Sequence, residues 1–380
     1  MSDEIQRSSL ASARRVVVKI GSRVLVQRTG RPDTRRLREL AGQLAALHEA
    51  GHEVILVSSG AVGAGMEALG MKKRPTTVPD LQMAAAVGQS RLMAAYDELF
   101  DKHDIKIGQL LLTHDDLNHR LRHLNARNTM INLLAHRILP IVNENDVIAV
   151  DEIKFGDNDL LASLVAIMME AQALILLTSV DGFRVPAGGG RTKRASVLAG
   201  VDADTLRHAA GKGSDLSTGG MASKLQSAGM ALSTGIPVVI ANGRVDGILK
   251  RIVRGDDVGT FIRPTKLNDR GGLPLRKRWI AFFHRTRGSL TIDEGAAAAL
   301  RNKGRSLLAA GIKQVEGDFQ PGAVVNIITD GGQLVARGLT GYASADLRVI
   351  MGRKTSEIQQ LLGARDYDEV VHRDNMVLMS

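Results

Sequence analysis

Across the first 260 residues, short apolar runs alternate with segments of helical period. This alternation is the feature that most restricts the fold. Arg15–Ile20 reads RVVVKI and stops at Gly21. A helix start follows at Pro32-Asp33-Thr34, with Leu37, Leu40, Leu44 and Leu47 at helical spacing and Gly51 where a C-terminal cap belongs. Val54–Val57 is the next strand, followed by the glycine-rich turn Ser58–Gly65. Ile105–Leu112, Ile138–Val142, Leu174–Leu177 and Val238–Ile240 continue the series, with helices expected near 80–100, 120–136, 159–171 and 220–234. Continuously apolar strands separated by helices predict an α/β fold whose mostly parallel sheet is sandwiched by helices. Ligands of such sheets bind beyond the carboxyl ends of the strands.

The rhythm changes after Gly259. The stretch 263–275, with Pro264, Pro274 and paired glycines, has the composition of a linker. Beyond it, Trp279–Phe283, Val324–Ile328 and Leu334–Ala336 read as strands, and Glu294–Asn302 and Ser356–Leu362 as helices. The expected division is a first domain at 1–262, a linker at 263–275 and a small β-rich domain at 276–380. The net charge of +10 is spread over both, +6 before Arg276 and +4 from there on. That spread argues against a nucleic-acid-binding basic tail, and 3% aromatic content leaves few platforms for stacking bases. There is no cysteine, hence no disulfide, thiolate metal site or cysteine nucleophile. No uncharged apolar run reaches the roughly 18 residues of a membrane span. The N-terminus lacks signal-peptide character, and a cytoplasmic location is expected.

Two motifs need sorting. His48-Glu49-Ala50-Gly51-His52 matches the H-E-x-x-H zinc signature, which requires both histidines on one continuous helix. Gly51 should end that helix first, so the match reads as chance. Neither G-x-x-x-x-G-K-[ST] nor G-x-G-x-x-G occurs, so a nucleotide would need other loops. Lys19-Ile-Gly21-Ser and Ser58-Ser59-Gly60 each close a strand, and Thr218-Gly219-Gly220-Met221-Ala222-Ser223-Lys224 opens an apolar helix. Each could hold an anion on backbone N–H groups, and each could equally be a plain turn. Seven polar or acidic residues, Asn143–Asp146 and Asp157–Asp159, crowd two turns beside the sheet. That exceeds what helix-dipole complementation needs and suits an amine, a metal ion or a lysine cluster. All these loops fall on one rim, an arrangement suited to phosphoryl transfer, which asks for positioning and charge neutralisation.

The stretches VVVKIGS, SSGAVGAG, AAVGQSRLM, HLNARNT, PIVNENDVIA, KFGDNDLL, STGGMASKL and VHRDNM run through nearly the whole chain. With them the sequence resembles the amino-acid kinase family, its glutamate 5-kinase branch above all, and its tail resembles a PUA domain. The resemblance implies ATP-dependent phosphorylation of the side-chain carboxylate of L-glutamate, the first step of proline biosynthesis, with Mg²⁺ bound mainly through the nucleotide. It implies Lys19, Asp159 and Lys224 as catalytic residues, the lysines neutralising phosphoryl charge and the aspartate organising them. Ser59, Gly60, Asn143, Asp146, Asp157 and Asn158 would bind glutamate. Lys19, Gly21, Thr178, Ser179 and the run Thr218, Gly219, Gly220, Met221, Ala222, Ser223 and Lys224 would bind ATP. It also implies a homo-oligomer and feedback inhibition by proline; metal ligands stay unassigned. Three features depart from the family pattern and bear on the nucleotide side. Ser179 stands where aspartate is common, Ala222-Ser223 stands for Ser-Thr, and Phe183–Arg194 lacks an Asp-Pro-Arg pattern.

Two alternatives remain at this level. One is an RNA-binding or RNA-modifying protein centred on the PUA-like tail, the one region where a nucleic-acid partner stays open. The other is a kinase of a different acid. The carboxylates and amides near Asp146 and Asp157 suit a free ammonium, which disfavours acetylated substrates.

Overall fold

A computed structural model describes residues 7–27, 32–148, 158–188, 191–210, 220–264, 277, 280–281, 286–363 and 368–379. The chain divides into two compact units, 1–116 with 120–272 and 273–380 with the short stretch 117–119. The linker expected at 263–275 lies almost wholly outside the described residues.

The first unit is built on an eight-stranded sheet. Its strands are β1 (Arg15–Ile20), β2 (Glu53–Val57), β3 (Ile107–Leu112), β4 (Leu139–Glu144), β5 (Ala173–Thr178), β8 (Val197–Leu198), β9 (Val238–Asn242) and β10 (Thr260–Ile262). A separate hairpin pairs β6 (Arg184–Pro186) with β7 (Thr192–Arg194). The sheet order is β3-β4-β2-β1-β5-β9-β10-β8. The first six strands are parallel to their neighbours, while β10 runs antiparallel to β9. β1, β2, β4 and β5 are buried along nearly their whole length, which explains their unbroken apolar sequences.

Register decides what meets at the rim. Lys19 on β1 lies opposite Val57 on β2 and Leu176 on β5, and Val57 in turn faces Val142 on β4. The residues just beyond these positions therefore come together. β2 and β5 flank β1 on opposite sides, so the chain reverses its direction of winding there, and such crevices hold ligands.

The helices begin as their sequences direct. Asp33 caps Thr34–Glu49 by accepting from the Arg36 N–H. Thr77 caps Val78–Asp101, with Pro79 in the first turn. Helix Ala61–Ala68 packs on Val78–Asp101 at glycines: a Cβ on Gly65 would lie 1.7 Å from the Ala84 carbonyl oxygen, and one on Gly88 1.8 Å from that of Ala61. Only glycine permits this backbone approach.

The second unit is a five-stranded sheet ordered β12-β11-β13-β14-β15. The strands are β11 (Gly288–Ile292), β12 (Ile312–Gly317), β13 (Val324–Thr329), β14 (Leu334–Leu339) and β15 (Met376–Leu378). Helix Glu294–Lys303 is capped by Asp293 and ends on Gly304 at positive φ. Of the strand expected at Trp279–Phe283, only Ile280 and Ala281 are described, and these are helical. Each unit has its own core, one drawn from Leu10 to Phe261 and the other from Leu290 to Met376. Among the described residues, no helix is long and apolar enough to cross a membrane.

Candidate active site

Three charged side chains from distant parts of the chain meet at the rim. Lys19 Nζ lies 2.7 Å from Asp159 Oδ1, and Lys224 Nζ lies 2.9 Å from Asp159 Oδ2. Lys19 stands near the end of β1, Asp159 in the first turn of helix Asn158–Met168, and Lys224 one turn into helix Met221–Ser233. The lysines are 5% and 7% exposed and the aspartate 1%. Both lysines are thus buried at the rim and not left in solvent. Burial pushes the Asp159 carboxyl up, but the two ammonium groups outweigh it and hold its pKa below the usual carboxylate value. The triad carries a net charge of +1 in a poorly solvated place, and an anion arriving there would restore neutrality.

Beside it stands an amide network. Asn158 Nδ2 lies 2.5 Å from the Ser58 carbonyl oxygen, 2.8 Å from Asn143 Oδ1 and 3.1 Å from Ser59 Oγ. With two hydrogens it can satisfy two of these at full strength. Asn143 Nδ2 donates in turn to Gln89 Oε1 at 2.8 Å. The Ser58 hydroxyl is 2.9 Å from the Tyr96 hydroxyl, whose pKa burial pushes up to about 12. The ends of β2 and β4 and the start of helix Asn158–Met168 are therefore tied together, with helix Val78–Asp101 as their backing. Gly60 follows at φ 105°, a left-handed turn that glycine adopts without strain.

The triad opens onto a cleft of about 660 Å³. It is lined by Lys19, Ser59, Arg74, Asp159 and Lys224 and also by Gly21, Thr178, Ser179, Phe183 and Met221. Gly21 donates its N–H to the Leu177 carbonyl oxygen at 3.0 Å, and a Cβ there would sit 3.7 Å from Lys19 Nζ. The volume is in the range that holds small ligands of nucleotide size.

Thus Lys19, Gly21, Ser59, Asp159, Thr178, Ser179, Gly220, Met221 and Lys224 surround one cleft. Asn143 and Asn158 lie one hydrogen bond behind it, Gly60 follows Ser59, and Ala222 and Ser223 continue the helix that Met221 opens. Asp146, half-buried just beyond β4, has its pKa raised to about 6 because burial outweighs the attraction of Arg74. Asp157, Thr218 and Gly219 lie outside the described residues. Sequence reasoning missed Arg74, which sits in a Lys-Lys-Arg run that reads as a solvated loop. It passed over Gln89 and Tyr96 too, although Gln89 belongs to the quoted AAVGQSRLM stretch. The two rings of the His-Glu-Ala-Gly-His stretch engage different carbonyl oxygens: His48 Nε2 meets that of Arg137 at 3.0 Å, and His52 Nδ1 that of Ala13 at 2.7 Å. Their helix ends at Glu49, as the chance reading requires.

Residues 14–242 match the model of the amino acid kinase family, and residues 288–362 match the PUA domain. The chain is 45% identical over 377 residues to a glutamate 5-kinase of Citrifermentans bemidjiense, covering 99% of this chain and all of that one. It is 42% identical over 381 residues to a glutamate 5-kinase of Moorella thermoacetica, with both chains covered completely. A glutamate 5-kinase of Chromohalobacter salexigens is 44% identical over 380 residues, covering all of this chain and 99% of its own. The chain belongs to the amino acid kinase family and, within it, to the glutamate 5-kinases.

Proposed function

We propose that the protein transfers the γ-phosphoryl group of ATP to the side-chain carboxylate of L-glutamate, giving L-glutamate 5-phosphate and ADP. The observation that carries this is the buried Lys19–Asp159–Lys224 triad at the head of a nucleotide-sized cleft. The acceptor is a carboxylate, anionic at neutral pH, so the attack needs no general base. What it needs is shielding between two anions. Lys19 and Lys224 supply that shielding, and Asp159 holds both in place so that little reorganisation is left for the reaction. One carboxylate oxygen attacks the γ-phosphorus as the bond to the β,γ-bridging oxygen breaks, and ADP leaves with that electron pair. The polar network through Asn158 and Asn143 fixes Ser59 and Gly60 beside the acceptor, and Asp146 receives the substrate ammonium. Gly21, Thr178, Ser179 and the 218–224 segment, with Asp157 on the acceptor side, complete the assignment on the strength of the family motifs.

Mg²⁺ would enter with the nucleotide, where it neutralises β- and γ-phosphate charge. No group of three or more potential metal ligands occurs among the described residues, and Asp159 is already engaged by two lysines. The same family relationship supports a cytoplasmic homo-oligomer inhibited by proline, with 1–262 as the catalytic domain, 263–275 as linker and 276–380 as the PUA-like domain. The RNA-centred alternative has no such support, since the charged cleft lies in the first unit. ADP release measured with L-glutamate, L-aspartate, N-acetylglutamate and bicarbonate tests the reading. Glutamate should give by far the highest rate; preferential turnover of N-acetylglutamate would refute it.

A further inference from the structure

Glutamate presents three charged groups, and the site described so far accounts for two. The side-chain carboxylate meets the lysines, and the ammonium meets Asp146. The α-carboxylate, attached to the same carbon as the ammonium, still lacks a counter-charge.

Arg74 stands where that charge is needed. It lies on the loop between helices Ala61–Ala68 and Val78–Asp101 and lines the cleft together with Ser59, Lys19 and Asp159. It is exposed, and among the described residues no carboxylate lies within ion-pair distance of it. Asp146 is likewise without an ion pair or hydrogen bond among the described residues. Asp146 follows β4, whose end pairs with that of β2 beside Ser59, and the Arg74 guanidinium lowers the pKa of the Asp146 carboxyl against the effect of burial. Two opposite charges on neighbouring loops, near but not joined, leave a gap. A zwitterion whose ammonium and carboxylate share one carbon presents the complementary pair of charges.

Resting on the glutamate kinase reading, we propose that Arg74 and Asp146 clamp the α-amino-acid head of the substrate, with Arg74 binding the α-carboxylate. A guanidinium offers two parallel N–H groups to a carboxylate and so fixes orientation as well as charge. The clamp holds the head at one end while the side chain reaches toward the triad. It makes the enzyme select α-amino acids over acids that bear a γ-carboxylate alone.

The test compares L-glutamate, 4-aminobutanoate (no α-carboxylate) and glutarate (no ammonium) in the full-length wild type, Arg74→Ala, Arg74→Lys and Asp146→Asn. Arg74→Ala should lower kcat/KM for glutamate roughly 10–100-fold, the range for losing a charge-assisted hydrogen bond. The loss should fall mainly on KM. At a pH well above the acid limb set by Asp146, turnover of 4-aminobutanoate, or its inhibition constant where turnover is too slow, should stay unchanged, as should KM for ATP. The preference for glutamate over 4-aminobutanoate therefore collapses, and Arg74→Lys restores part of it. Asp146→Asn should instead erode the preference over glutarate. If the wild type phosphorylates glutamate and Arg74→Ala keeps the wild-type preference over 4-aminobutanoate, the clamp is wrong and the kinase reading stands. A wild type without glutamate-dependent turnover would overturn both.

Discussion

Replacing Asp159 by Asn and Lys224 by Ala should separate two effects that ordinary buried ion pairs combine. Asp159→Asn leaves two ammonium groups in a pocket where each had lain within 2.9 Å of a carboxylate oxygen. At a separation of about 5 Å and an effective dielectric of about 20, they repel by about 3 kcal/mol. Removing one member of a buried pair typically destabilises by about 3–5 kcal/mol, in line with that figure. For a unit of this size the melting temperature should fall by roughly 6–20 °C. Lys224→Ala behaves differently. It leaves Lys19 paired with Asp159 and removes the excess charge, so the melting temperature should change by only a few degrees. Turnover should drop about 10²–10³-fold, as when a preorganised charge is taken from a transition state. Differential scanning calorimetry and an ADP-release assay on the same preparations read both quantities. Equal destabilisation by the two substitutions, with turnover of Lys224→Ala near wild type, would make the triad a structural ion cluster and refute the reasoning.

Three further outcomes follow from the geometry. The Asp146 pKa of about 6 lies above the usual carboxylate value, so the group is protonated at a higher pH than an ordinary aspartate. Glutamate kcat/KM should then fall as pH drops through about 6; Asp146→Asn should abolish that acid limb, and Arg74→Ala, by removing the attraction that lowers this pKa, should move it upward. Gly88→Ala would place a Cβ 1.8 Å from the Ala61 carbonyl oxygen, forcing apart the helices behind Gly60 and Asn143. The measurable result should be a lower melting temperature together with a raised KM for glutamate. Deleting residues after about 275 should leave a folded kinase, because the first unit holds both its own core and the cleft; a well-folded truncation without glutamate-dependent ADP release would contradict this.

The sheet was legible because its central strands are buried on both faces, and such strands must be apolar along their length and stop at the turns. RVVVKI, VILV and LILL leave little choice. Strands β11 and β12 escaped for the opposite reason. GSLTI and IKQVEG mix polar with apolar residues, and β12 buries only Ile312 and Val315 of its six residues. The triad was only half legible. Lys19 and Lys224 are 205 positions apart in the chain, and each sits in a glycine-containing stretch that reads equally well as a turn. The strand order put them on one rim, and the family motifs gave them their roles. Their burial could not be foreseen, because it depends on the carboxylate that makes burial tolerable. Arg74 was hidden by its neighbours Lys72 and Lys73, since a basic run usually belongs to solvent. The fit of Gly65 against Ala84 and of Gly88 against Ala61 is a tertiary match that no single segment reveals.

The central claim is that the side-chain carboxylate itself attacks ATP within the first unit's cleft. L-glutamate labelled with ¹⁸O in that carboxylate tests it most directly. Once formed, glutamate 5-phosphate cyclises as its amine attacks the acyl carbon, expelling phosphate with the bridging oxygen. ³¹P NMR should therefore show released inorganic phosphate carrying one ¹⁸O atom from glutamate, and Lys224→Ala should suppress the signal in proportion to its turnover. Unlabelled phosphate alongside glutamate-dependent ADP release would mean that water, not the carboxylate, is the acceptor, and the account would fail.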